Sequence, residues 1–176
     1  MGRLGLWMLG ASIAGRLFII GRDLLSARDL RTQIRTPVFP ERLPTGLLGR
    51  PIPTPDDLEQ LDEIAYDGAN TFDLIRQPAP ASRPLFVYVH GGGWTGGGPQ
   101  KQARRMYHSL ARAGWTVAAL RYPLAPGATI CDQIAAIKRA IRHLASEAGQ
   151  YGVDPHRIVL SGSSAGGHLA ALAALA

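Results

Sequence analysis

The chain has 176 residues, 46% of them apolar and 18% charged, a composition that suits one globular domain with material for a core; its single cysteine, Cys131, excludes an internal disulfide framework. The net charge of +6 is concentrated at the front: residues 1–50 hold eight arginines against Asp23, Asp29 and Glu41, and the rest of the chain is close to neutral. A nucleic-acid surface would need Lys and Arg clustered on the folded part with aromatics among them, and that pattern is absent, so no nucleic-acid partner is expected.

Residues 1–35 form a basic, apolar N-terminal segment. In "MGRLGLWMLGASIAGRLFIIGRDLL" an apolar run from Leu4 to Ile13 follows one arginine, and Ser12 and Ala14 are small enough for a signal-peptidase site. Arg16 interrupts that pattern. Extended to Ile20, the segment is barely long enough to span a bilayer, and an arginine inside it costs about 2.5–3.5 kcal/mol unless it snorkels. Three readings stay open: a secretory signal or anchor, a helix associated with a membrane surface, and an N-terminal helix covering a pocket of the domain. Localisation stays open with them. Residues 36–62 carry six prolines and two glycines. Proline fixes its own φ and has no N–H, so this stretch is expected to be an extended connector.

Residues 63–176 alternate between two patterns. "EIAYDG" and "TFDLIRQP" read as an antiparallel hairpin. "PLFVYVH", "WTVAALRY" and "RIVLSG" are apolar on both faces, as strands buried on both sides are. Between them Ala103, Met106, Tyr107 and Leu110 mark one helix, closed by Gly114. Ile130, Ile134, Ile137, Ile141 and Leu144 mark the apolar face of a second, with Lys138, Arg139 and Arg142 opposite and Gly149 and Gly152 at its end. The expected fold class is α/β: a mostly parallel sheet with an N-terminal antiparallel hairpin and helices on both faces. Ligands in such sheets bind at the carboxyl ends of the strands.

Two glycine-rich turns fall at those ends. The first, "VHGGGWTGGGPQK", has the spacing G-x-G-x-x-G at Gly91, Gly93 and Gly96. A dinucleotide site also needs an acid about 20 residues on, and no Asp or Glu occurs between Asp73 and Asp132. The phosphate-loop pattern fails too, because Pro99 and Gln100 precede Lys101 and Gln102 follows it. The second turn, "SGSSAGG", places Gly162, Ser164 and Gly166 in G-x-S-x-G between a buried strand and an Ala/Leu helix. That context bends the chain sharply at the serine and aims the helix N-terminus, with the Ala165 N–H, at a developing oxyanion. The same residues also suit a purely structural turn packed with small side chains. A side-chain-free loop after the third strand, presenting the amides of Gly91, Gly92 and Gly93, favours the chemical reading, since acyl transfer needs backbone donors where negative charge appears.

"HGGGW", "RYPLAP" and "DPHRIVLSGSSAGGHLAAL" together resemble the α/β-hydrolase superfamily, in the branch of serine esterases with an HGGGW loop such as hormone-sensitive-lipase-like esterases and related carboxylesterases. The resemblance covers roughly residues 63–176. It implies Ser164 as nucleophile, Gly91, Gly92 and Ala165 as oxyanion donors, a small-molecule ester substrate, and neither metal nor organic cofactor. His90, Gly93, Trp94, Gly162 and Gly166 would support the site, His90 by orienting the loop and Trp94 by lining the pocket or packing under the loop. Ser163 departs from the Asp often found there in the hormone-sensitive-lipase branch. His168 is expected to pack rather than to face the hydroxyl, Asp154 to make a turn, and Asp132 to sit near a helix start. His108, His143 and His156 are expected to be solvated, and Cys131 to act as a small apolar residue.

In this superfamily the catalytic acid and histidine follow the nucleophile on loops after later strands, whereas Ala176 comes only twelve residues after Ser164. The expectation is therefore the N-terminal part of an esterase that lacks the later strands and is weakly active or inactive, with its fifth strand left unpaired and open to self-association. Arylformamidase-like amide cleavage and a non-catalytic binding module are the alternatives.

Overall fold

The computed structural model describes residues 18–22, 52–78 and 81–175. Its centre is built from the runs that are apolar on both faces: β4 (Arg83–Val89), β5 (Thr116–Leu120) and β6 (Val153–Gly162). β4 lies in the middle and pairs in parallel with both neighbours, Leu85 standing opposite Thr116 on one side and Ile158 on the other. The hairpin of β2 (Glu59–Asp67) and β3 (Asn70–Arg76) turns at Gly68, whose φ of 55° suits glycine, and adds antiparallel to β5 with Phe72 opposite Leu120. β1 (Phe18–Arg22) pairs antiparallel with β6, Phe18 opposite Gly162. The sheet order is β1-β6-β4-β5-β3-β2, the expected parallel centre with an antiparallel hairpin.

Alternation along the strands separates two cores. Leu85, Val87, Val89, Ala118 and Leu120 point to one face, where they meet α2 (Ile130–Ser146), α3 (Ala148–Tyr151) and α4 (Ala165–Leu175). Phe86, Tyr88, Val117 and Ala119 point to the other, covered by Tyr107 and Ala111 of α1 (Arg104–Arg112). Thr129 and Asp132 form a reciprocal capping box that starts α2, the Asp132 N–H donating to Thr129 Oγ1 at 3.2 Å and the Thr129 N–H to Asp132 Oδ2 at 2.9 Å. The buried face of α2 is rotated from the expected isoleucine stripe. Gln133, Ala136, Ile137, Ala140 and Leu144 are buried, Ile134 and Ile141 are partly covered, and Ile130 is 42% exposed. The small side chains of Ala136 and Ala140 permit close approach, so the contact centres on them.

Three expectations are corrected here. β2 begins at Glu59, inside the stretch read as connector. The last proline of that stretch is Pro55, whose carbonyl accepts from the Leu58 N–H at 3.0 Å in a turn, and each residue after it up to Asp62 can donate to a ladder. The outer edge of β6, expected to be bare, is paired by β1, because an edge offers a row of backbone donors and acceptors that a nearby extended segment satisfies. Third, His108 is 5% exposed rather than solvated. His143 is half-buried and lies 2.9 Å from the Tyr151 hydroxyl, while His156 is exposed as expected. Apart from Phe18–Arg22, which is a strand and not a helix, the N-terminal segment and residues 36–51 lie outside the described residues, and so does the choice among their three readings. Among the described residues no helix is long and apolar enough to cross a membrane.

Candidate active site

The two glycine-rich turns leave the carboxyl ends of adjacent parallel strands, β4 and β6, and the Ser163 N–H donates to the Val89 carbonyl at 3.3 Å across them. Ser164 is exposed and has φ of 49°, a left-handed conformation that costs a non-glycine residue about 1–3 kcal/mol. The flanking glycines follow from how closely this bend folds back. A Cβ on Gly166 would lie 2.1 Å from the Val89 carbonyl oxygen, and one on Gly162 would lie 2.5 Å from the Gly166 carbonyl. α4 begins at once, with the Gly166 N–H donating to Ser163 O at 2.8 Å and the His168 N–H to Ser164 O at 3.0 Å. As the first residue of that helix, Ala165 keeps an N–H with no partner among the described residues.

The loop after β4 departs from the expected donor set in one respect. The Gly91 N–H donates to Gln102 Oε1 at 3.0 Å, and the Gly91 carbonyl accepts from Gln102 Nε2 at 3.0 Å. A proton already committed to that bond is not free for an oxyanion, so Gly91 leaves the set. Gly92 folds the next turn, its carbonyl accepting from the N–H groups of Thr95 at 3.2 Å and Gly96 at 3.0 Å. Gly92 and Gly93 are exposed, and their N–H groups have no partner among the described residues. In this loop it is Gly91 that comes closest to the serine turn: a Cβ added to it would lie 3.3 Å from Ser164 Cβ.

His90 is 2% exposed and stacks on Tyr122 with ring centroids 4.5 Å apart, while the Tyr122 hydroxyl donates to the His90 carbonyl at 2.8 Å. Burial above all lowers its pKa, so the ring is neutral, and its Nδ1 lies 3.0 Å from the acceptor-only Gly91 carbonyl, which assigns the proton to Nδ1. These contacts hold the loop. Trp94 lines the pocket: it is 40% exposed, and its carbonyl accepts from the Ala125 N–H at 2.9 Å and from Gln133 Nε2 at 3.0 Å. Its ring meets His168 edge-to-face at 5.7 Å. His168 thus packs as expected, although at the exposed pocket wall and not in the interior. With Ile130, Ser164 and Ala165 these residues surround a largely apolar pocket of about 680 Å³.

Ser163 Oγ accepts from the Tyr88 hydroxyl at 2.9 Å and donates to Gln102 Oε1 at 2.9 Å. Neither Gln102, Tyr88 nor Gln133 stands out in the sequence, since their partners are 11 to 75 residues away. Among the described residues no hydrogen bond reaches the Ser164 hydroxyl, and no cluster of three His, Cys, Asp or Glu side chains is placed to hold a metal ion. A hydroxyl at a helix N-terminus beside free amides is an arrangement that can stabilise negative charge on a carbonyl oxygen after attack. Each such donor is worth about 2.7–4 kcal/mol in the transition state.

A family model described as BD-FAE matches residues 73–176. Esterase LipQ of Mycobacterium tuberculosis is 38% identical over 74% of this chain and 33% of its own length, and mouse arylacetamide deacetylase is 37% identical over 68% of this chain and 31% of its own. Among solved structures, esterase B from Lactobacillus rhamnosis superimposes with a TM-score of 0.61 at 31% identity, covering 69% of this chain and 40% of that one. The chain spans about a quarter to a third of the length of the curated relatives it matches.

Proposed function

The chain belongs to the BD-FAE family of α/β-hydrolase esterases, and on that premise we propose that it carries the nucleophile and oxyanion hole of a serine carboxylic ester hydrolase. Ser164 Oγ attacks the ester carbonyl, and the N–H groups of Gly92, Gly93 and Ala165 receive the charge that develops on its oxygen, helped by the positive end of α4. The tetrahedral intermediate expels the alcohol and leaves an acyl-enzyme, which water then hydrolyses. The pocket beside Trp94 and Ile130 takes an apolar part of the substrate. The observation that carries this reading is the left-handed serine, exposed at φ 49° between the end of β6 and the N-terminus of α4. Such strain persists where the surrounding structure enforces it.

The described residues supply no histidine bonded to Ser164. Loss of the triad histidine in another serine hydrolase lowers turnover about 10⁶-fold and leaves about 10³–10⁴ over water. Slow acylation is accordingly expected of this chain by itself. Incubation with a fluorophosphonate and peptide mass spectrometry is expected to place the adduct on Ser164, with none in Ser164→Ala. Parallel rates on p-nitrophenyl butyrate and the matching anilide separate ester from amide preference, a question raised by the likeness to arylacetamide deacetylase. Equal labelling of Ser164→Ala, or modification elsewhere only, would sink the proposal.

A further inference from the structure

We infer that Gln102 is a positioning residue that sets the oxyanion loop against the serine turn, acting through Gly91 and Ser163; this rests on the ester-hydrolase reading above. Gln102 follows the short helical turn Pro99–Lys101, on no element of the site itself. Its side-chain amide pairs with the Gly91 peptide as a neighbouring strand would, through one bond in each direction, both 3.0 Å. The same Oε1 accepts from Ser163 Oγ at 2.9 Å, and Ser163 Oγ accepts from the Tyr88 hydroxyl at 2.9 Å. One side chain therefore joins the chain leaving β4 to the chain leaving β6, one residue before Gly92 on the first and one residue before Ser164 on the second.

Two consequences follow from that placement. Gln102 consumes the Gly91 N–H, so the free donors begin at Gly92; without it, the buried Gly91 amide would lose its partner and its carbonyl would keep only the His90 Nδ1 contact, which shifts the register of the loop. It also fixes the separation between Ser164 and the Gly92 and Gly93 amides. Misplacement by about 1 Å at such a site costs on the order of 10²-fold in rate. A defect of this kind falls on charge stabilisation, not on occupancy of the apolar pocket, and the two can be measured separately.

The test uses the full chain with 1-butaneboronic acid and butyramide as probes. The Ser164 oxygen adds to boron, its proton leaves to solvent, and the tetrahedral boronate carries the negative charge that the loop is built to hold; butyramide is planar and neutral. Calorimetry on Gln102→Leu is expected to show boronate affinity reduced at least about tenfold, consistent with partial loss of oxyanion donors, with butyramide affinity within about twofold of wild type. Gln102→Glu should lose boronate affinity relative to wild type near pH 8 and regain it near pH 5, where the protonated acid again donates to the Gly91 carbonyl. That pH rescue carries the test if Gln102→Leu does not fold by circular dichroism. Equal losses for both probes, no loss, or no pH rescue would overturn the role of Gln102. A wild-type chain that binds the boronate no better than Ser164→Ala would instead refute the ester-hydrolase reading, and this inference with it.

Discussion

Ser164 pays for its position in backbone strain, and that strain can be measured apart from any chemistry. Glycine adopts φ of 49° without the Cβ conflict that serine or alanine meets. Ser164→Gly is therefore expected to be more stable than Ser164→Ala by about 1 kcal/mol in urea unfolding, both being unreactive toward the fluorophosphonate. His108 gives a second residue-scale prediction. Burial chiefly, with the nearby charges of Arg104 and Arg112, lowers its pKa from 6.5 to about 4, and its Nε2 has no partner. The unfolded chain then binds a proton that the folded chain refuses between those values. Its contribution to stability is fully present above about pH 6.5, declines by up to about 1.4 kcal/mol per pH unit as pH falls, and levels off below about 4. Unfolding curves from pH 7 to 4 should show this slope in the wild type and a shallower one in His108→Gln. The serine turn was legible because its requirements lie within five consecutive residues, whereas burial of His108 depends on what α1 packs against and leaves no trace in the local pattern.

At the scale of elements, the join between the hairpin and the parallel centre rests on a charge pair that periodicity does not reveal. Asp73 on β3 is 1% exposed and accepts two bonds from Arg121, just beyond β5, at 2.6 and 3.0 Å; it also accepts from the Glu63 N–H at 3.0 Å. The Arg121 N–H donates in turn to the Thr71 carbonyl at 2.8 Å. Removing the guanidinium leaves a buried carboxylate without its counter-charge. Arg121→Ala is expected to lose about 3 kcal/mol by chemical denaturation, and Asp73→Asn with Arg121→Ala to lose less than Arg121→Ala alone. In the sequence Asp73 looked like one polar residue in a strand and Arg121 like part of a motif. The helices were legible for the opposite reason: α2 announces itself through apolar residues at helical spacing, with Asp132 read near its start. Its rotation onto Ala136 and Ala140 came from the shape of the surface it meets.

For the molecule as a whole, the edge of β6 is the decisive feature. β1 pairs with it from Phe18 opposite Gly162 to Arg22 opposite Ile158, so the strand that leads to Ser164 is bonded on both sides. Removing residues 1–22 should uncover that edge and produce concentration-dependent self-association, read by light scattering coupled to size exclusion. A deletion variant that stays monomeric at every concentration would show the edge to be protected otherwise. Taken by itself, the sequence determined the parallel centre, the hairpin, the helices between strands and the two glycine turns, because strand burial, helical period and steric demand at a bend act over a few neighbouring residues. Tertiary structure alone decided that Phe18–Arg22 supplies a sheet strand and that Gly91 gives its amide to Gln102. Each of these depends on backbone or side-chain groups far apart in the chain finding one another, and which partner satisfies a buried donor is settled only when the whole sheet has closed around it.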